Sequence, residues 1–339
     1  MKPINYLKEN GTIALVAPSF GCAADPYKTR LETAIKNFED DGFRLIQGEN
    51  IVLSRHKVRS NSARKCAKEF MENYLNPEVD AVISVGGGEL MCEILPYIDF
   101  DKILTAPHKF FMGFSDNTNL TYTLATISEV ATIYGPCFPA YCLKPYRYHL
   151  ADALNLLLGK TRETRGYPYW ERYGKSSDNP LEEKNYSEKK VLRIYPNRPV
   201  EVTGRLLGGC LDCLVTLCGT RFDRTAEYLE KYRDDGFIWF LEACDLSPVG
   251  IQRALFQLKQ AKWFKYCRAF IIGRPLCYRQ RVFGITHYRA IKEALGNLHL
   301  PIIMDADLGH FAPSMPIVTG ALGKLKAFDN EISIEYTDF

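Results

Sequence analysis

The first half of the chain alternates between short apolar runs and amphipathic stretches. Apolar runs such as TIALVAPS at residues 12–19 and DAVISVGGG at 80–88 are separated by stretches with helical spacing, for example SARKCAKEFMENYL. Short apolar runs bounded by turn residues are typical of buried strands, and a 3.6-residue period is typical of helices. Repeated strand–helix units build a parallel sheet. The pattern therefore predicts a Rossmann-like α/β domain over residues 1–160.

A second alternating region begins near residue 201. Its predicted strands are GFIWFLEA, RAFIIG and PIIMDAD, with helical stretches between them, and its end, IVTGALGKLKAFDNEISIEY, has turn signals between short apolar runs. This pattern predicts a C-terminal α/β domain over residues 201–339 with a β-rich end. Residues 161–200 are charged and aromatic, contain proline and have no sustained period, which is typical of a long loop or linker.

Composition excludes several classes of protein. The 43 basic and 40 acidic side chains give a net charge of +3 without a basic stripe interleaved with aromatics, so no nucleic-acid partner is expected. No apolar run reaches the roughly 20 residues of a membrane span, and the N-terminus lacks the apolar core of a secretory signal. The 11 cysteines lie scattered among apolar neighbours, as in a reducing compartment. We expect a cytoplasmic protein with no membrane partner.

Cys210 and Cys213 form a CxxC motif that raises the question of redox or metal chemistry. A second ligand pair at zinc spacing is missing, and leucines recur at helical spacing around the motif. The alternative interpretation, a buried helix, fits this spacing better. No metal and no cofactor are expected.

Ser115 is the first candidate catalytic residue. It follows the apolar run FFMG and precedes the helix-like NTNLTYTLATI, which places its hydroxyl at the carboxyl edge of the sheet. The backbone amide of Asp116 would then lie at a helix N-terminus, where it favours negative charge and is suited to an oxyanion hole. The hydrolase-elbow pattern has a second glycine where this chain has Asn117, and Ser115 could instead be a helix N-cap.

A glycine cluster could supply the second oxyanion donor. Gly86, Gly87 and Gly88 follow the strand DAVISV directly, and glycine lets backbone amides approach a ligand closely. Neighbouring parallel strands would bring the amide of Gly86 or Gly87 beside Ser115. The alternative is a simple tight turn, and a nucleotide P-loop is excluded because no GK[ST] follows.

A nucleophilic serine needs a base and an acid that orients the base. Among the six histidines, His310 lies in a glycine-containing setting after a predicted strand, in PIIMDADLGHFAPSMP, and the other five are assigned to surface or capping positions. Glu242 ends the apolar strand GFIWFLE, where an unpaired carboxylate would be costly to bury. Its expected partner is either an arginine, such as Arg253, or the imidazole of His310.

The motifs MGFSDNTNL, GRLLGGCLDCLVTLCGT, FLEACDLSPVGIQRALFQL and DADLGHFAPSMPIVTGALGKL together resemble the LD-carboxypeptidase family of serine peptidases. The resemblance runs from one end of the chain to the other. It implies a Ser-His-Glu triad of Ser115, His310 and Glu242, and a homodimer. Two departures concern the oxyanion donors: Cys210 stands where the family usually has asparagine, and the glycine turn ends in Gly88-Glu89.

The family resemblance leaves two substrate classes open. One branch removes the terminal D-alanine from murein tetrapeptides, and the other resembles the microcin C self-immunity peptidase, which cleaves a peptide–nucleotide conjugate. The 161–200 insert is similar to the longer active-site loop of the second branch, where Trp170 and Tyr173 could stack on a base. Packing of these rings onto the protein body is the alternative. We expect the microcin-type substrate; a noncatalytic two-domain protein that binds a small ligand is the alternative of another class.

Overall fold

The computed structural model describes residues 4–172 and 179–338, which contain two large β-sheets. The strands are β1 (Thr12–Val16), β2 (Arg44–Gln47), β3 (Ala81–Ser84), β4 (Phe110–Gly113), β5 (Thr132–Tyr134), β6 (Glu163–Arg165), β7 (Tyr169–Trp170), β8 (Glu188–Lys189), β9 (Arg193–Tyr195), β10 (Val200–Cys210), β11 (Phe237–Glu242), β12 (Cys267–Gly273), β13 (Ile302–Ala306), β14 (Ile317–Thr319), β15 (Leu322–Phe328) and β16 (Glu331–Asp338). The α-helices are α1 (Tyr27–Asp40), α2 (Ala63–Leu75), α3 (Phe100–Thr105), α4 (Thr118–Ile127), α5 (His149–Leu157), α6 (Leu211–Leu217), α7 (Thr225–Lys231), α8 (Pro248–Gln260) and α9 (His287–Leu295).

The first sheet has the order β14-β5-β4-β3-β1-β2. Its five strands from the first half of the chain pair in parallel, and the residues of β1, β3 and β4 are fully buried. Strands covered on both faces read as continuous apolar runs, which is why the sequence revealed them. The predicted parallel sheet of an α/β fold is confirmed.

The second sheet has the order β6-β16-β15-β10-β11-β12-β13-β9. Its centre, from β10 to β13, is parallel, and the pairs on both sides of this centre are antiparallel. The chain therefore ends in the antiparallel strands β15 and β16, so the predicted α/β region with a β-rich end is also confirmed.

Two chain segments take positions that differ from the expected division of the chain. The 161–200 segment, predicted to be a loop or linker, supplies both edge strands of the second sheet, β6 and β9, and the small β7–β8 pair. Strand β14 leaves the C-terminal half and pairs antiparallel with β5 in the first sheet. The C-terminal half of the chain therefore contributes one strand to the first sheet.

Helix α8 shows how the local sequence begins a helix and directs its apolar side toward the core. Ser247 caps it by accepting a hydrogen bond from the amide of Gly250, and Pro248 occupies the first turn, where its missing amide proton is not needed. The buried side chains follow at helical spacing: Ile251, Ala254, Leu255 and Leu258. This apolar stripe packs the helix onto the core below the second sheet.

Among the described residues, every helix is too short or too polar to cross a membrane.

Candidate active site

Ser115 lies on a sharp turn between β4 and α4. It has a positive φ of 64° and begins a short 3-10 turn, Ser115–Asn117, that leads into the helix. A positive φ is rare for a residue with a side chain and is tolerated where the surrounding structure imposes it. The turn aims the hydroxyl away from the helix, so the side chain makes contact with His310 instead of acting as the N-cap considered above.

Three side chains form a continuous hydrogen-bonded chain. Oγ of Ser115 lies 2.9 Å from Nε2 of His310, and Nδ1 of His310 lies 2.9 Å from Oε2 of Glu242. An ionised carboxylate can only accept, so Nδ1 carries a proton and, in the neutral imidazole, Nε2 is the acceptor for the serine hydroxyl. The structure thus brings together the three residues that the sequence singled out, and Glu242 pairs with His310 rather than Arg253.

The Glu242 carboxylate is almost completely enclosed. It ends β11 and is 1% exposed, and its second oxygen, Oε1, accepts a hydrogen bond of 2.6 Å from the hydroxyl of Tyr134. Gly309, at φ 104°, passes so close that a Cβ there would lie 2.8 Å from Oε2 of Glu242. A glycine before His310 is therefore required for the imidazole to reach the carboxylate.

Burial and charge act in opposite directions on the pKa values of this pair. Burial alone would lower the pKa of His310, but the Glu242 carboxylate and the Cys244 side chain together outweigh it and raise that pKa well above its ordinary value. Burial alone would raise the pKa of Glu242, but His310 and the hydroxyl of Tyr134 outweigh it and lower that pKa. Each group therefore stabilises the charged form of the other.

The glycine cluster lies beside the serine, since β3 and β4 are neighbours in the sheet. A Cβ added to Gly87 would lie 3.3 Å from Cβ and 3.4 Å from Oγ of Ser115, so the Gly87 backbone passes directly over the hydroxyl. The carbonyl of Gly86 accepts a hydrogen bond of 2.9 Å from the amide side chain of Asn117. This placement is compatible with the oxyanion role predicted for the amides of Gly86 or Gly87 and Asp116, which stays a prediction.

The side chain of Asp116 anchors the turn that carries Ser115. Its buried carboxylate accepts hydrogen bonds from the Ser19 hydroxyl at 2.6 Å, the Met91 amide at 2.9 Å and the Asn119 side chain at 2.9 Å. Burial, its largest influence, raises the pKa of this carboxyl, and these donors act against that rise. The contacts hold the backbone of Asp116 rigidly next to the nucleophile.

The predicted stacking residues are placed differently from the expectation. The Trp170 ring is 3% exposed and packs edge-on against Tyr278 and Phe311, with the Arg274 guanidinium 4.7 Å from its centre. It does not line the cavity at Ser115, so the alternative of packing onto the body describes it. Tyr173 lies outside the described residues.

A cavity of about 630 Å³ opens over Ser115 and His310. The glycine turn forms one wall, and the 161–200 segment contributes the half-buried ring of Tyr186. Basic side chains line it at Arg30, Lys144, Arg147 and Lys184. Sequence reasoning missed Tyr186 and these cations, because their convergence depends on segments far apart in the chain.

The two cysteines of the CxxC motif and two of the other histidines take part in packing and hydrogen bonding within the fold. Cys210 ends β10 instead of lying in a helix, and its amide donates to the Thr118 hydroxyl at 2.9 Å, while Cys213 lies in α6. Two histidines assigned to surface or capping positions, His108 and His287, are buried at 3% and 2% exposure. Their sequence neighbours are charged, but tertiary packing covers them.

Comparison with known proteins decides the family. Residues 13–135 match the LD-carboxypeptidase N-terminal domain, and residues 203–325 match the LD-carboxypeptidase C-terminal domain. The chain belongs to the LD-carboxypeptidase family. It is a serine-type carboxypeptidase and thus a hydrolase, as the carboxypeptidase names of its relatives also indicate.

Individual members of the LD-carboxypeptidase family resemble the chain over almost its whole length. The microcin C7 self-immunity protein MccF of Escherichia coli is 26% identical over 317 residues, covering 91% of this chain and 88% of that protein. The structure of MccF in complex with aspartyl sulfamoyl adenosine has a TM-score of 0.81 at 24% identity and covers 99% of each chain. The muramoyltetrapeptide carboxypeptidase from Oxalobacter formigenes has a TM-score of 0.73 at 22% identity, covering 97% of this chain and 99% of that one.

Proposed function

We propose that this carboxypeptidase uses a triad of Ser115, His310 and Glu242 to hydrolyse a peptide–nucleotide conjugate of the microcin C type, in self-immunity or detoxification. The observation that carries the proposal is the pair of 2.9 Å hydrogen bonds that link the three side chains at the floor of an open cavity. A nucleophile, a base and an orienting acid in that order are what acyl transfer requires.

The proposed mechanism has two steps. In the first, Nε2 of His310 takes the proton from Ser115 as Oγ attacks the scissile carbonyl, and His310 then gives that proton to the leaving nitrogen. Glu242 stabilises the imidazolium, and the amides of Asp116 and of Gly86 or Gly87 hold the oxyanion. In the second step His310 takes a proton from a water molecule that attacks the acyl carbonyl, the bond between that carbonyl and Oγ breaks, and His310 returns the proton to Oγ of Ser115 as the free acid leaves.

An aromatic ring in the cavity wall supports a conjugate with a ring-containing group. Tyr186 contributes a ring of the kind on which a nucleobase stacks. The charged side chains of the lining are of both signs, since Glu89, Glu182 and Glu183 lie beside the four cations, and Lys144, Arg147 and Lys184 are paired with Asp41, Glu183 and Glu171. Relatives of the same fold bind such molecules, since MccF has been solved with aspartyl sulfamoyl adenosine and with glutamyl sulfamoyl guanosine. A murein tetrapeptide also carries a terminal carboxylate for the cations, but it has no base to stack.

The triad is tested by single and double substitutions. Ser115→Ala and His310→Ala should each lower kcat by at least roughly a thousandfold, and the double variant should be little worse because the residues act as one unit. Glu242→Gln should be impaired less severely. Ser54→Ala, an exposed residue outside the cavity lining, is the matched control and should keep full activity. Turnover retained by Ser115→Ala, with an unchanged circular dichroism spectrum, would remove the basis of the proposal.

The substrate is tested by assays of two compounds side by side. An aspartyl sulfamoyl adenosine conjugate should be hydrolysed with a higher kcat/KM than a murein tetrapeptide. Tyr186→Ala should raise KM for the conjugate roughly tenfold to a hundredfold, as expected for about 1 to 3 kcal/mol per stacked ring, and change kcat much less. Tyr169→Ala, a 47% exposed ring of the same segment that does not line the cavity, should leave KM unchanged. A preference for the tetrapeptide would instead assign the enzyme to cell-wall peptide recycling.

The oligomeric state is a separate proposal. The family resemblance predicts a homodimer, and sedimentation velocity at micromolar concentration should give a mass near twice the 38.7 kDa of one chain. A monomer at that concentration would contradict it.

A further inference from the structure

One buried hydroxyl touches two parts of the proposed catalytic machinery at once. The hydroxyl of Tyr134 donates to Oε1 of Glu242 at 2.6 Å and accepts from the backbone amide of Ser115 at 3.0 Å. A phenol has one proton and free lone pairs, so both bonds form together. The hydroxyl thus bridges the nucleophile on the first sheet and the triad carboxylate on the second.

The ring that carries this hydroxyl is fixed from several sides. Tyr134 ends β5 and is paired with Gly113 on β4 and with Ile317 on β14. Its side chain is 1% exposed and lies between Phe114, with ring centres 6.3 Å apart, and Phe240, with ring centres 5.7 Å apart. Phe114 immediately precedes the nucleophile, and Phe240 lies two residues before Glu242. The hydroxyl therefore has little freedom to leave its two partners.

We propose that Tyr134 is a positioning residue of the hydrolase, which orients the Glu242 carboxylate toward His310 and holds Ser115 in its strained turn. The inference rests on the proposed triad. With Oε1 held by Tyr134 and Oε2 by His310, both oxygens of Glu242 have a fixed partner. The bond to the Ser115 amide supports a residue whose φ of 64° is unfavourable by itself.

This arrangement also determines which amides can bind an oxyanion. The amide of Ser115 is occupied by Tyr134, so it is not available to a tetrahedral intermediate. The donors must come from elsewhere, and the amides of Asp116 and of the glycine turn are adjacent. Loss of the hydroxyl would release the Ser115 amide and loosen the turn on which these donors depend.

The hydroxyl also influences the proton affinity of the His310–Glu242 pair. A donor on a carboxylate stabilises its ionised form. When the donor is removed, the pair binds a proton more tightly, whichever of the two residues carries it. The other titratable groups that face the pair are Cys210 on β10, Cys213 on α6, Cys244 after β11 and Glu89 after β3, and all four remain in place.

The test compares Tyr134→Phe with Tyr141→Phe. Both remove one hydroxyl from a fully buried tyrosine of the same apolar cluster, and within the described residues the hydroxyl of Tyr141 has no hydrogen-bond partner. Tyr134→Phe should lower kcat roughly tenfold to a hundredfold with KM nearly unchanged, because the geometry of the reacting groups is disturbed and the cavity is not. Tyr141→Phe should retain the wild-type kcat and KM.

Two pH titrations separate positioning from simple stability. In Tyr134→Phe the acid limb of kcat/KM should move to higher pH by roughly one pH unit. A shift of that size corresponds to the free energy of one hydrogen bond to a charged group. The His310 imidazole, followed by ¹⁵N NMR without substrate, should show the same shift.

The outcomes distinguish this inference from the triad proposal. If wild type and Ser115→Ala have equal turnover, the triad proposal fails whatever Tyr134 does. If turnover depends on Ser115 but Tyr134→Phe loses only thermal stability, with kcat, the pH profile and the His310 titration unchanged, the positioning role is overturned.

Discussion

At the residue scale, the protonation of His310 sets the pH at which the proposed triad can act. The imidazole must be neutral to take the proton of Ser115, and the Glu242 carboxylate raises the pKa of His310 above its ordinary value. The base form therefore accumulates only as the pH rises through that raised pKa. We expect kcat/KM to increase with pH along a limb whose midpoint lies above the usual histidine value of about 6.5. The midpoint is measured from initial rates at constant ionic strength. A midpoint at or below the usual histidine value would contradict the expectation.

The contact between Gly87 and Ser115 gives a second expectation at this scale. In Gly87→Ala the new methyl group would lie 3.3 Å from Cβ and 3.4 Å from Oγ of Ser115, closer than such groups normally pack, so the nucleophile must shift by a few tenths of an ångström. Because small misplacements of reacting groups are costly, kcat should fall roughly tenfold or more. Gly296→Ala, whose methyl group would meet nothing within 4 Å, should leave kcat unchanged. Equal kcat values in the two variants would show that the glycine turn does not crowd the serine.

Sequence reasoning succeeded for residues whose role follows from the end of a recognisable strand. Ser115 and Glu242 follow or end apolar runs, and His310 follows another predicted strand in a glycine-containing setting. The burial of Glu242 required a partner but left it open between His310 and Arg253. Tyr134 escaped notice because β5 is only three residues long and its sequence gives no reason for a hydroxyl to be buried. Its function depends on two partners, 19 and 108 positions away, that the fold brings together.

At the element scale, the 161–200 segment shows where periodicity fails. Its strands are two or three residues long, and only Thr164 and Trp170 among their residues are buried, which is too few to form an apolar alternation. Such edge strands are held by backbone hydrogen bonds to strands far away in the chain, which leave no local pattern. The aromatic residues predicted to stack were Trp170 and Tyr173, but Trp170 does not line the cavity, and Tyr186, which the sequence analysis did not single out, does.

The burial of Trp170 leads to an expectation about stability. Trp170→Ala removes a ring that is 3% exposed and packed against Phe311 and Tyr278, so it should lower the free energy of unfolding by about 3 to 5 kcal/mol. KM for the conjugate should stay near the wild-type value at temperatures where the variant is folded. The free energy of unfolding is measured by urea titration, with Tyr169→Ala as the control at an exposed ring. A large rise in KM without loss of stability would restore Trp170 as a substrate-binding residue.

At the scale of the whole molecule, the proposed triad is divided between the two sheets. Ser115 follows a strand of the first sheet, whereas Glu242 ends a strand of the second and His310 follows another. A single cluster of buried apolar side chains includes Ile83 of β3 and Phe240 of β11, so the apolar core is continuous between the sheets. The repeated βα pattern predicted both sheets. It did not predict the contacts between them, because the periodicity of a sequence reports only local secondary structure.

The strand and side-chain contacts that link the two sheets predict that they unfold together. Strand β14 pairs with β5, the amide of Cys210 donates to Thr118, and Trp263 stacks on Tyr122 of α4 with ring centres 5.1 Å apart. Separating the sheets would break all of these contacts and expose the shared core, so an intermediate with one sheet unfolded should not accumulate. In urea, the tryptophan fluorescence, to which Trp170, Trp239 and Trp263 contribute, should therefore change with one midpoint. The hydrogen exchange of β1 and β3 peptides and the enzymatic activity should change with the same midpoint. A loss of protection in β1 and β3 at lower urea than the change in fluorescence would show instead that the first sheet unfolds independently and that the triad is joined only when two autonomous units meet.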